Sequence, residues 1–105
     1  MKFTIDECLA KLPLEANEKW PDGVWDIEPH SDGEISMVFF APEKTDHQTS
    51  HEQNEYYFIA RGSGTLVIDG EPKRAETGDA FFVRANSSHH FENFTDDFAT
   101  WAVFF

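Results

Sequence analysis

The chain carries one cysteine, eight basic residues and no long apolar run. Each shortage excludes something. Cys8 has no partner for an internal disulfide, and the opening MKFTIDECLAKLP places acids where a secretory signal needs an apolar centre. A reducing cytoplasm is the expected compartment. Eight Lys and Arg stand against twenty Asp and Glu, for a formal charge of −12. Such a surface repels phosphate backbones and anionic lipid heads, so neither nucleic acid nor membrane is an expected partner. No stretch approaches the ~20 apolar residues needed to span a bilayer. No linker, repeat or low-complexity tract divides the 105 residues, so one domain over 1–105 is expected.

What the chain does have is aromatic residues: eleven Phe, three Trp and two Tyr within a hydrophobic fraction of 40%. An aromatic-rich core follows. Thr4 and Glu7 form a capping-box pattern ahead of IDECLAKL, where Ile5, Cys8, Leu9 and Leu12 share one helical face before Pro13. The spacing predicts one short helix in an N-terminal extension, 1–19. From Trp20 onward, short apolar runs (VWDIE, EISMVFFAP, EYYFIARGSG, TLVIDGEP, DAFFVRANSS, HHFENF, FATWAVFF) are broken by turn residues about every ten positions. This is an all-β pattern, and 20–105 is expected to form a compact sandwich or barrel. The Phe pairs 39/40, 81/82 and 104/105 each put one ring on each face of a sheet. The outer rings need cover, expected in part from the helix and in part from a second copy in a homodimer.

The stretch DHQTSHEQNEYY sets His47, His51 and Glu55 at steps of four. That spacing shares one face of a helix and also one face of a strand. The aromatic and β-branched EYYFIA favours strand over 47–59, with a helical H-x-x-x-H pair as the alternative. On the strand reading His47, Thr49, His51, Gln53, Glu55 and Tyr57 all point one way.

These residues resemble the two motifs of the cupin superfamily, in its small single-domain cupin 2 form. The first motif is His-x-His, three or four residues, Glu, six residues, Gly; here His51, Glu55 and Gly62 keep the spacing, while Thr49 stands at the first His. The second is Gly, five residues, Pro-x-Gly, two residues, His, three residues, Asn. Gly78, His89 and Asn93 fit it, with Arg84 in place of the Pro and Asn86 in place of the Gly. Asn tolerates the positive φ that a turn glycine supplies.

The resemblance implies a double-stranded β-helix, the cupin or jelly-roll barrel. It also implies one divalent transition metal (Fe, Mn, Ni or Zn) held inside by His51, Glu55 and His89, a set that leaves positions open. For a fourth ligand, Gln53 and His47 compete with Thr49. Gln53 is expected beside Glu55 as a ligand or as an anchor for its carboxylate, and His47 nearer the mouth. Tyr57, inward beside Glu55, is the candidate proton donor. His90 and His30 are expected at the surface, and Arg84 near the mouth. Three functions fit: a metal-dependent enzyme of dioxygenase or isomerase type acting on a small polar molecule, a non-catalytic metal or small-ligand binding cupin, and a metal-free isomerase or epimerase using His as base and Tyr57 as acid.

Overall fold

The computed structural model describes every residue, Met1–Phe105. Thr4 caps the helix α1 (Ile5–Leu9), its Oγ1 accepting the Glu7 N–H at 3.1 Å. The helix is shorter than the apolar periodicity suggested. Lys11 and Leu12 donate to Cys8 and Leu9, three residues back, which tightens and ends it. Residues 13–25 then run irregularly with one bridge, Leu14 to Val24, so only a small part of the extension is helical.

Eight strands follow: β1 (Asp26–Asp32), β2 (Ile35–Phe40), β3 (Glu55–Arg61), β4 (Ser63–Ile68), β5 (Glu71–Glu76), β6 (Ala80–Val83), β7 (His89–Glu92) and β8 (Ala99–Phe104). All pairs are antiparallel, in a five-stranded sheet β1-β2-β8-β3-β6 and a three-stranded sheet β5-β4-β7. Asp69 and Gly70, at φ 49° and 80°, make the two-residue turn from β4 to β5 that a hairpin requires. Gly62, at φ 68°, carries the chain from one sheet to the other, and a Cβ there would collide with Thr95 Oγ1.

Two expectations need correction. EPKRAE has no apolar alternation, yet it forms β5, a polar edge strand that buries only Ala75 and is held by pairing with β4. The strand expected over 47–59 begins only at Glu55. Before it, the Asp46 carboxylate accepts the main-chain N–H of Gln48 at 2.9 Å and of Phe91 at 2.8 Å. Side-chain acceptors have replaced the strand ladder in this loop.

Between the sheets lie Phe40, Tyr57, Ile59, Leu66, Phe91 and Phe98. A second cluster, Cys8, Phe39, Ala41 and Ala99, lies beneath α1 with Ile5 and Leu9 packed on it. The Phe pairs divide between the faces. Phe40, Phe81 and Phe104 pack on the core, while Phe82 and Phe105 stay exposed and Phe39 is covered by the helix.

Candidate metal centre

Glu55 opens β3 and His89 opens β7, strands of opposite sheets, and both side chains fall on the inward phase of the alternation. Their exposures are 1% and 3%. His51 arrives from the loop ahead of β3. Its carbonyl accepts the Asn86 N–H at 2.7 Å, and Asn54 Oδ1 accepts the Ala85 N–H at 2.9 Å. Those two bonds tie the loop to the turn that precedes His89. Asn86 takes φ 67° there, the conformation a glycine would otherwise supply.

His51 Nε2 lies 3.1 Å and His89 Nε2 3.2 Å from the same oxygen, Glu55 Oε1. The donor atoms of the three residues all fall within 4.8 Å of one another. The other nitrogen of each ring is committed: His51 Nδ1 sits 3.0 Å from the Gln53 carbonyl and His89 Nδ1 2.8 Å from the Ser87 carbonyl. A carbonyl can only accept, so each Nδ1 carries a proton, and in a neutral imidazole each Nε2 is then a lone pair. Three electron-rich atoms thus face one another. A cation must sit among them, or one of the three groups must take up a proton. His89 Nε2, 3.2 Å from Glu55 Oε1, is buried and left without a hydrogen-bond partner. Two imidazoles held as Nε2 ligands by their Nδ1–H bonds and one carboxylate suit a divalent transition metal.

Burial pushes the His89 pKa down, but Glu55 and the Ser87 carbonyl together push it further up, so the net shift is upward from 6.5. Tyr57 donates its hydroxyl proton to Gln48 Oε1 at 3.0 Å. Burial first, then the nearby charges of Glu55 and Asp46, raise its pKa well above 10. It stays a neutral phenol with its proton already engaged. Gln48 is fixed in turn by Asp46, which accepts from its side-chain amide.

A cavity of about 60 Å³ opens beside this network. Its polar wall is Asp26, Gln48, Glu55 and Tyr57, and Trp20 and Phe40 supply aromatic wall. Trp20, from the irregular N-terminal segment, packs edge-on against Phe40 and His47 at 6.0 and 5.3 Å between ring centres. The sequence reading overlooked Trp20, Asp26, Asp46 and Gln48. Only the fold brings them to one place, and of the four only Asp46 and Gln48 lay inside the histidine-rich stretch that drew notice.

The two further metal candidates are not where strand alternation put them. Gln53 is exposed and gives its side-chain amide to the Glu34 carbonyl at 3.2 Å, so its link to the centre is its main-chain oxygen on His51. His47 packs edge-on against Trp20 and is not among the converging donors. Thr49 is exposed and accepts from Lys19 Nζ at 3.2 Å. These corrections share one cause: 47–54 is a loop, and a loop has no alternation. His90 pairs with Glu92 at 3.1 Å, His30 stacks on Phe3, and Arg84 is exposed.

No curated protein matches the chain. Solved structures resemble it in fold. KdgF from Halomonas is 18% identical with a TM-score of 0.66, over 75% of this chain and 76% of that one. A cupin 2 conserved barrel domain protein from Salinispora arenicola is 21% identical with a TM-score of 0.64, over 76% and 73%. Streptomyces PAC13, solved with uridine, is 18% identical with a TM-score of 0.59, over 72% and 62%. The family model of the cupin domain matches residues 36–105, two thirds of the chain and all eight strands but β1. With two antiparallel sheets closing around an inward His, Glu and His, this chain belongs to the cupin 2 family.

Proposed function

We propose that the protein is a metal-dependent cupin that binds one divalent transition metal through His51, Glu55 and His89 and acts on a small polar molecule held in the adjoining cavity. One observation carries the reading: both imidazoles spend Nδ1–H on main-chain carbonyls and turn Nε2 toward one buried carboxylate oxygen. When bound, the metal would supply a Lewis acid for a carbonyl or hydroxyl oxygen, or a redox centre if it is iron. The chain's own groups do the rest. Glu55 borders both the donor cluster and the cavity, so a molecule in the cavity lies against the centre. Trp20 and Phe40 give that space an apolar, aromatic wall. Tyr57, its proton held by Gln48, presents an oxygen lone pair and orients the ligand; as a proton donor it would first have to release Gln48. That arrangement disfavours the metal-free route with Tyr57 as acid. Pac13, a nucleoside dehydratase of the same fold, supports small-molecule chemistry in a barrel of this kind.

The partner and compartment readings are proposed with it. Tyr56, Phe58, Phe82 and Phe105 form one connected patch of rings on the outer face of the five-stranded sheet, each more than 40% exposed. None carries a charge, so a second copy can meet the first there without bringing like charges into direct contact. Cys8, buried and unpaired, suits a reducing cytoplasm.

The test is elemental analysis of protein made without a His-tag, alongside His89→Ala. About one equivalent of one divalent metal in the wild type, and none in the variant, is expected. Failure of the wild type to retain metal after equilibrium dialysis against Fe(II), Mn(II), Ni(II) and Zn(II) in turn would sink the reading.

A further inference from the structure

Asp26 is the one polar group on the cavity wall that the donor network leaves free. It opens β1, opposite Phe40 in the register with β2, and lines the same space as Glu55, Tyr57 and Gln48. Each of the others is engaged. Tyr57 gives its proton to Gln48, Gln48 gives its amide to Asp46, and Glu55 faces the two imidazoles. No protein donor hydrogen-bonds the Asp26 carboxylate. Burial raises its pKa, Lys19 lowers it through space, and Asp46 raises it again. Lys19 itself is exposed and bonded to Thr49, and no Lys or Arg lines the cavity.

What the wall offers a ligand is therefore mostly acceptors: both Asp26 oxygens, the Tyr57 lone pair and the free side of Glu55. Asp26 is half-buried and takes no protein donor, so a donor on the ligand is rewarded there, and a carboxylate or phosphate brought against it would meet like charge with no Lys or Arg on the cavity wall to offset it. The space holds roughly two waters' volume, so only a small head group enters it.

We propose that Asp26 is the specificity-determining residue of this site, accepting a hydrogen bond from a hydroxyl or amino group of a small substrate that carries no anionic group. The inference rests on the proposed small-molecule function but not on the metal. Asp26 selects by charge and by hydrogen bonding together, since the same oxygens that reward a donor repel an anion. Trp20, packed over Phe40, reports occupancy.

The probes are three compounds on one carbon skeleton: 1,2-propanediol, 1-amino-2-propanol and lactate. Binding is followed on the Trp20 indole N–H signal by NMR, with protein as purified and after dialysis against EDTA, because lactate would itself chelate a metal. In the dialysed wild type the diol and the amino alcohol are expected to shift the signal, with lactate at least about tenfold weaker, the worth of one bond to a charged acceptor. Asp26→Asn adds a donor and removes the charge, so the order should invert, with lactate gained and the diol weakened. A merely structural role for Asp26 would weaken all three alike. Lactate binding as well as the diol in the dialysed wild type, or an unchanged order in a folded Asp26→Asn, overturns the proposal. The wild-type comparison decides even if the variant does not fold. Since this arm contains no metal, an empty metal centre and a wrong substrate class give different results.

Discussion

Metal stabilisation of this protein should grow with pH, and the reason is the proton that His89 holds in the metal-free fold. Its pKa is raised above 6.5 in the folded state. A group of that kind stabilises the fold fully below its unfolded value, and the contribution is lost as pH rises through the folded value. The metal needs the same Nε2 lone pair, so below the folded pKa each ion bound must displace that proton. Affinity should therefore rise about tenfold per pH unit until His89 is deprotonated and then level off, a gain of about 1.4 kcal/mol per unit. At about 4–8 °C per kcal/mol for a domain of this size, the difference between melting points with and without zinc should widen by roughly 6–11 °C per pH unit. At a free metal concentration a thousand times Kd the stabilisation is about 4.1 kcal/mol. Differential scanning calorimetry between pH 5.5 and 8.5 at fixed free zinc measures it, with His89→Ala as the control that should show no metal effect at any pH. A metal-induced shift that is equal at both ends of that range, or that survives His89→Ala, would mean that Nε2 of His89 is not a ligand.

Gln53→Ala should change metal affinity by less than about threefold, because its side chain faces Glu34 and its carbonyl remains to hold His51; a tenfold loss by titration calorimetry would put the amide back in the site. Gly62→Ala should cost at least about 1–3 kcal/mol in urea unfolding, since the positive φ and the contact with Thr95 both oppose a Cβ. Phe58→Glu places a charge in the outer aromatic patch and should shift sedimentation from dimer to monomer with metal content unchanged. A wild type that sediments as a monomer at high concentration would refute the second-copy reading.

Much of the fold was legible because its signals are local. Asp69-Gly70 is a two-residue hairpin turn readable at sight, Thr4 caps the helix that follows it, and aromatic and β-branched runs such as EYYFIA mark their strands. The spacing of His51, Glu55 and His89 pointed to the ligand set through a family pattern, and the same pattern anticipated Asn86 at a left-handed turn. Strand β5 was illegible since EPKRAE buries only Ala75: its conformation comes from the neighbour it pairs with, not from its own side chains. The loop 47–54 was misread for the opposite reason. Its alternating polar residues imitate a strand, but Asp46 reaches Phe91, forty-five residues away, and spends its hydrogen bonds there. With the alternation gone, Gln53 and His47 turn aside. The chemistry each residue type permits was thus present in the sequence. Which of them meet was decided by tertiary structure, because Trp20, Asp26, Gln48 and Glu55 come from segments whose only common property is that the five-stranded sheet and the loops flanking it line the same cavity.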